Sequence, residues 1–184
     1  MKRAEVLGLI SQNRKTIAIA GTHGKTTTSA ILTYILRTCG IDCTAFLGGI
    51  AQNYKSNFVA GNSEWVVMEA DEFDRSFLHL NPDIAIITSM DADHLDIYGH
   101  HDEMQDTYLK FVSQVSELLL YEQELPIDTK VLKAKASSYG LTKNAAYNST
   151  RIRAYAPNFV FDWGDKDNHV LWDDLSFTLP GRHN

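Results

Sequence analysis

The residues with the clearest chemical potential stand in "GTHGKTTT", Gly21 to Thr28, between the apolar run "TIAIA" and a stretch able to form a helix. A buried strand, a glycine turn and a helix in that order leave backbone N–H groups free at a helix N-terminus, where the helix dipole also favours an anion. Gly21 and Gly24 let the backbone wrap closely around phosphate oxygens. Lys25 reaches the outer phosphates, and the hydroxyl of Thr26 or Thr27 can join a Mg2+ shell. The spacing is shorter than G-x-x-x-x-G-K-[ST], because Ile19 stands where the first glycine of that pattern would fall. The alternative is a glycine turn with a solvated lysine, and the strand before and helix after count against it. Thr22 lies in the same loop, and His23 suits solvent as well as a substrate contact.

Mg2+ keeps several waters and takes few protein ligands, so one or two further donors are wanted near the phosphates. Two places offer them. In "MEADEFD", Glu69, Asp71, Glu72 and Asp74 crowd the end of an apolar strand; in "SMDADHLDIYG", Asp91, Asp93, His94 and Asp96 do the same. Ligands of open α/β sheets sit at the carboxyl ends of strands. Crowded like charges repel unless a cation compensates. Either cluster alone is compatible with a solvated loop; the two together read as a metal-nucleotide site.

These residues need a sheet to carry them. "TIAIA" (16–20), "CTAFLGG" (43–49), "EWVVMEA" (64–70), "PDIAIITS" (82–89) and "ELLLY" (117–121) read as strands, the first suited to burial in a parallel sheet. Helices are expected over 26–39, stopped by Gly40, over 102–116 and over 128–140. In the second of these, Met104, Tyr108, Leu109, Phe111, Val112 and Val115 supply the apolar face. Tyr34, Ile35 and Leu36 are expected in the core or at its margin. From 151 to 179 the chain alternates and is rich in aromatics around the turn-like "WGDKDN". That predicts antiparallel strands with Phe159, Phe161, Trp163 and Trp172 as their core. The fold class expected is α/β: a P-loop-type, mostly parallel sheet flanked by helices, with a small antiparallel sheet appended near the C-terminus. Residues 120–150 carry no motif and are assigned to scaffold.

At 184 residues the chain fits one domain with a real core. Its net charge of −6 argues against a general nucleic-acid binder. No apolar run approaches the ~20 residues that span a bilayer, and the basic "MKRAEVLGLI" is too interrupted for a signal peptide. Cys39 and Cys43 form no disulfide or metal pattern and are expected to be buried or half-buried thiols. The expectation is a soluble cytoplasmic protein, with no nucleic-acid or membrane partner.

Four segments, "GTHGKTTT", "EADEFDRSF", "DADHLDIYG" and "LPGRHN", occur in an order and at spacings that resemble the central, ATP-binding domain of the Mur ligase family, which builds the peptide stem of bacterial cell-wall precursors. The resemblance covers essentially the whole chain. It implies ATP and Mg2+ as cofactors, with Gly21, Thr22, His23, Gly24, Lys25, Thr26 and Thr27 around the phosphates and Thr26 on Mg2+ or phosphate. It also implies Glu69 and His94 as metal ligands, and Asn184 against the adenine with His183 beside it. Lys25, Glu69 and His94 would be the catalytic set. Asp71, Glu72 and Asp96 lie in the motifs without separate roles, and Ser89 stands where many relatives carry asparagine.

Within the family the loop histidine and "EADEFDRSFLHLNPDIAIITS" look most like the branch that joins L-alanine to UDP-N-acetylmuramate. That resemblance implies an acyl phosphate made from ATP and attacked by the amine. Residues 1–14 would be a linker from a missing UDP-binding domain and 15–184 the ATP-binding domain. A C-terminal amino-acid domain would also be missing, so the chain alone would not ligate. Two alternatives stay open: a paralogous ligase that attaches a recycled tripeptide to the same UDP sugar, and a non-catalytic P-loop module. Folate polyglutamate ligases share the general design, but the loop histidine and "EADEFD" fit them less well.

Overall fold

A computed structural model of the chain describes residues 2–91, 101–155 and 158–178. Helix α1 (Arg3–Gln12) leads into β1 (Lys15–Ala20), α2 (Lys25–Thr38), β2 (Thr44–Ala51), β3 (Ser56–Val59) and β4 (Trp65–Glu69). A 3-10 helix (Phe73–His79) then precedes β5 (Ile84–Ile87), α3 (His101–Ser113) and β6 (Leu118–Glu122). A short 3-10 turn (Thr129–Val131) leads to β7 (Lys135–Gly140), β8 (Tyr147–Tyr155), β9 (Asn158–Asp165) and β10 (Val170–Phe177). All ten strands form one sheet in the order β10-β9-β8-β7-β6-β5-β1-β4-β2-β3.

Strand β1 lies in the middle, parallel to β4 on one side (Ile19 opposite Glu69) and to β5 on the other (Ala20 opposite Ile87). Its residues from Thr16 to Ala20 are buried. Successive side chains point to opposite faces, so Ala18 and Ala20 join one core and Ile17 and Ile19 the other. The first core holds Phe77 of the 3-10 helix, stacked on Phe111 at 4.7 Å and edge-on to Tyr108 at 5.2 Å between ring centres. The second packs Cys43, Ala45 and Leu47 against Ala30, Leu32 and Leu36 of α2. Gly40, at φ +89°, ends α2 as its position predicts.

Helix α1 packs on the 3-10 helix so closely that a Cβ at Gly8 would lie 2.6 Å from the His79 carbonyl oxygen. Several expectations change. The helix expected over 128–140 is instead the 3-10 turn and β7, parallel to β6 with Leu119 opposite Ala136. Lys and Ala favour a helix there, but the open edge of β6 offers a ladder that overrides so weak a preference. Strand β3, which pairs antiparallel with β2 at the far edge, was not expected. Tyr34 and Ile35 are half exposed on α2, Leu109 is exposed on α3, and Cys39 is exposed while Cys43 is buried.

The antiparallel strands β8 to β10 continue the main sheet, because β8 pairs parallel with β7 at Tyr139–Tyr147 and Gly140–Asn148. Their expected aromatic core is not what is buried. Phe159, Phe161 and Trp163 are half buried and Trp172 is 63% exposed, whereas Asp162 is fully buried between them. The inward face of β9 carries a carboxylate because Asp162 joins its neighbours. It accepts the Asp174 N–H at 3.0 Å and pairs with Arg151, and both partners adopt positive φ. The Asp174 N–H above all, with Arg151 beside it, holds the Asp162 carboxyl below the usual carboxylate range. Among the described residues no helix is long and apolar enough to cross a membrane.

Two outcomes follow from the packing. Phe77→Ala should cost about 3–5 kcal/mol of stability, read by chemical denaturation. A depressed native value makes the Asp162 contribution full above the unfolded carboxylate range near pH 4 and lost as pH falls through that native value. Asp162→Asn should therefore flatten the acid limb of stability, measured by thermal unfolding from pH 6 downward.

Candidate functional site

The site forms where β1 ends, at the strand from which the chain first runs outward to β2 and then, after β4, crosses to β5 on the other side. Such a reversal opens a crevice at the carboxyl ends of the strands. Gly21 (φ +138°) and Gly24 (φ +82°) turn the chain from β1 into α2, with Gly24 as the N-cap. Both conformations disfavour any residue with a Cβ. At Gly21 a side chain would also run into Thr88 and the Ser89 backbone.

The end of β5 clamps this loop. Thr88 Oγ1 donates to the carbonyl of His23 at 2.5 Å or of Ala20 at 3.2 Å, and the His23 N–H donates to Ser89 Oγ at 2.9 Å. Thr22 Oγ1 donates to the Asp91 carbonyl at 3.1 Å, and the His23 ring lies 3.8 Å from the Asp91 carboxylate. Thus Ser89 supports the loop through a hydroxyl, and His23 remains exposed beside it.

Lys25 and Thr26 open α2 toward β4. Thr26 Oγ1 donates to Glu69 Oε1 at 3.0 Å, while the other oxygen, Glu69 Oε2, accepts the Gly48 N–H at 2.7 Å. Gly48 is at the glycine pair of β2, and only its missing side chain leaves room for the Glu69 carboxylate. A hydroxyl and a carboxylate oxygen held together at a helix N-terminus are hard donors that fit Mg2+, which takes one or two protein oxygens and keeps waters. Lys25 Nζ donates to the Gly21 carbonyl at 2.7 Å and pairs with both oxygens of Glu72, at 3.0 and 2.9 Å. Glu72 is buried and Lys25 nearly so.

Gly21, Thr22, His23, Gly24, Lys25, Thr26 and Glu69 are therefore brought to one place. Thr27, half buried, continues the first turn of α2. Asp71 points outward and accepts the Phe73 N–H. His94, Asp93, Asp96, His183 and Asn184 lie outside the described residues. The sequence reading missed the roles of Gly48 and Thr88. The glycine pair closing "FLGG" was the available signal for the first; a threonine after a strand signals nothing by itself. Asp165, Asp167 and His169 gather in the β9–β10 turn, where Asp165 Oδ1 accepts the N–H groups of both others and closes the hairpin.

The Mur ligase middle domain matches residues 19–184. A UDP-N-acetylmuramate–L-alanine ligase of Flavobacterium johnsoniae is 48% identical over 100% of this chain, which spans 39% of that protein. Among solved structures, a UDP-N-acetylmuramate-alanine ligase of Thermotoga maritima superposes with a TM-score of 0.80 at 25% identity, over 98% of this chain and 40% of that one. A UDP-N-acetylmuramate:L-alanyl-gamma-D-glutamyl-meso-diaminopimelate ligase of Neisseria meningitides shares the fold, with a TM-score of 0.78 at 22% identity over 98% of this chain and 60% of that one.

Gly48→Ala should push the Glu69 carboxylate off Thr26 and weaken Mg2+-dependent nucleotide binding roughly 10- to 100-fold. Gly49→Ala, whose Cβ would meet the Thr26 methyl at an ordinary 3.4 Å, should bind as the parent does. Calorimetric titration of both variants with Mg-ADP separates the two outcomes.

Proposed function

The chain belongs to the Mur ligase family through its middle domain, and we propose that it is the ATP-binding domain of a ligase joining L-alanine to UDP-N-acetylmuramate in peptidoglycan precursor synthesis. The observation that carries this reading is the loop Gly21–Lys25 opening α2 beside the Thr26–Glu69 pair, in a chain that matches such a ligase along its whole length. Because the chain spans 39% of that relative, the reading includes two further units: a UDP-binding domain joined through residues 1–14, and an amino-acid domain beyond the ATP-binding domain of residues 15–184. The 184-residue chain alone is then inactive as a ligase. The enzyme acts in the cytoplasm.

The chemistry asks little covalent work of the protein. A carboxylate oxygen does not leave, so the γ-phosphoryl group of ATP is transferred to the muramoyl carboxylate, with ADP as the leaving group. The alanine amine then attacks the acyl phosphate, and phosphate departs. Positioning and charge neutralisation of the transferring group are what a protein supplies to such a step. The N–H groups at the start of α2 cradle the phosphates, Lys25 donates to an outer phosphate oxygen, and Gly21, Thr22, His23, Gly24 and Thr27 shape the cradle. Thr26, Glu69 and His94 hold Mg2+, which when bound neutralises phosphate charge. His183 and Asn184 meet the adenine.

Phosphate release by the parent chain, with both flanking domains, tests this. With Mg-ATP and UDP-N-acetylmuramate, release is expected on adding L-alanine. Release with the L-alanyl-γ-D-glutamyl-meso-diaminopimelate tripeptide alone would transfer the protein to the recycling reaction. Silence with both would leave a nucleotide-binding module.

A further inference from the structure

We propose that Glu72 is a latch on the nucleotide loop: it holds the Lys25 ammonium while the site is free of phosphate and yields it to a ligand that carries a phosphate beyond the first. This rests on reading the loop as an ATP site.

A lysine ammonium has three N–H donors and no acceptor. Its hydrogen bonds to the Gly21 carbonyl at 2.7 Å, Glu72 Oε1 at 3.0 Å and the Thr22 carbonyl at 3.5 Å match that number, with Glu72 Oε2 in the ion pair at 2.9 Å. A phosphate oxygen can therefore enter the Lys25 shell only by replacing a partner. The Gly21 and Thr22 carbonyls belong to the loop backbone that Thr88, Ser89 and the Asp91 carbonyl clamp. The replaceable partner is Glu72.

Its burial makes the replacement selective. Glu72 is 2% exposed and the Lys25 side chain 14%. The carboxylate sits directly before the 3-10 helix whose Phe77 lies in the core, and that helix start is pinned by the Arg75 N–H on the Glu72 carbonyl at 3.0 Å and the Phe77 N–H on the Asp71 carbonyl at 2.9 Å. Glu72 is thus held by the core rather than by a surface loop. Drawing the cation away from a buried carboxylate is unfavourable, so a ligand must compensate with charge placed at the same ammonium. A β- or γ-phosphate does so; a nucleoside or a monophosphate, whose anion ends short of Lys25, does not. Glu72 thereby weakens every polyphosphate relative to a site with a neutral residue there, and discriminates by phosphate number.

The test is calorimetric titration of the 184-residue chain, in Mg2+, with ATP, ADP, AMP and inorganic tripolyphosphate. Glu72→Gln removes the charge and keeps the shape. It should tighten ATP, ADP and tripolyphosphate binding on the order of tenfold and leave AMP unchanged; a merely structural role would weaken all four together. Unchanged or weaker ATP binding by a variant that unfolds at the parent temperature overturns the latch. Should Glu72→Gln not fold, a crystal structure of the parent with Mg2+ and a non-hydrolysable ATP analogue decides it. Lys25 Nζ is expected on a β- or γ-phosphate oxygen and off at least one Glu72 oxygen; an ammonium still on both oxygens overturns the latch. Tripolyphosphate binding without ATP binding would defeat the ATP reading instead, with the latch then judged by the tripolyphosphate ratio between Glu72→Gln and the parent.

Discussion

A fully buried parallel strand must end, turn and become a helix between Ala20 and Lys25, and the rest of the site depends on how that turn is made. Gly21 and Gly24 make it with positive φ, which frees the N–H groups of the first turn of α2 to face a ligand rather than a ladder. A side chain at Gly21 would also run into Thr88 and Ser89. The neighbours on the sheet then have fixed duties. Strand β5 clamps the loop from one side, β4 delivers acids from the other, and β2 contributes a glycine where those acids need space.

The two carboxylates that reach the loop from β4 stand three positions apart and differ in environment. Glu69 ends the strand and is shared between the Thr26 hydroxyl and the Gly48 N–H, so one carboxylate oxygen is already oriented toward a hydroxyl of the kind Mg2+ accepts. Glu72 lies just beyond, turned inward and buried against Lys25. Like charges so near one another are tolerable because each is compensated by a different partner. Asp71, between them in sequence, faces outward and only stabilises the turn. Within a run that looks like one acidic patch, Glu69, Asp71 and Glu72 thus have three different surroundings, assigned by the direction in which the chain leaves the strand.

The far end of the sheet follows other rules. Strands β8 to β10 bury Asp162 rather than their aromatic residues, and two positive-φ residues, Arg151 and Asp174, bend the neighbouring strands so that a guanidinium and an N–H reach that carboxylate. The aromatic alternation correctly announced antiparallel strands but not which face would be covered: Asp162 is buried and Trp172 stays exposed.

The sequence by itself determined the parallel core of β1, β2, β4, β5 and β6, α2 with its glycine stop, and the loop that faces phosphate, because these depend on local properties: apolar runs, glycine where φ must be positive, and one lysine at a helix start. It also placed Glu69 and Glu72 near that loop, since both follow the same strand. Tertiary structure alone decided that 135–140 is a strand, through the edge that β6 presents to residues with helix-forming side chains. It alone decided that Gly48 makes room for Glu69, that Thr88 and Ser89 hold the loop, and that Glu72 rather than Asp71 meets Lys25. Those contacts join residues 20 to 70 positions apart, and no local preference can specify which of two adjacent carboxylates a lysine on another element will reach.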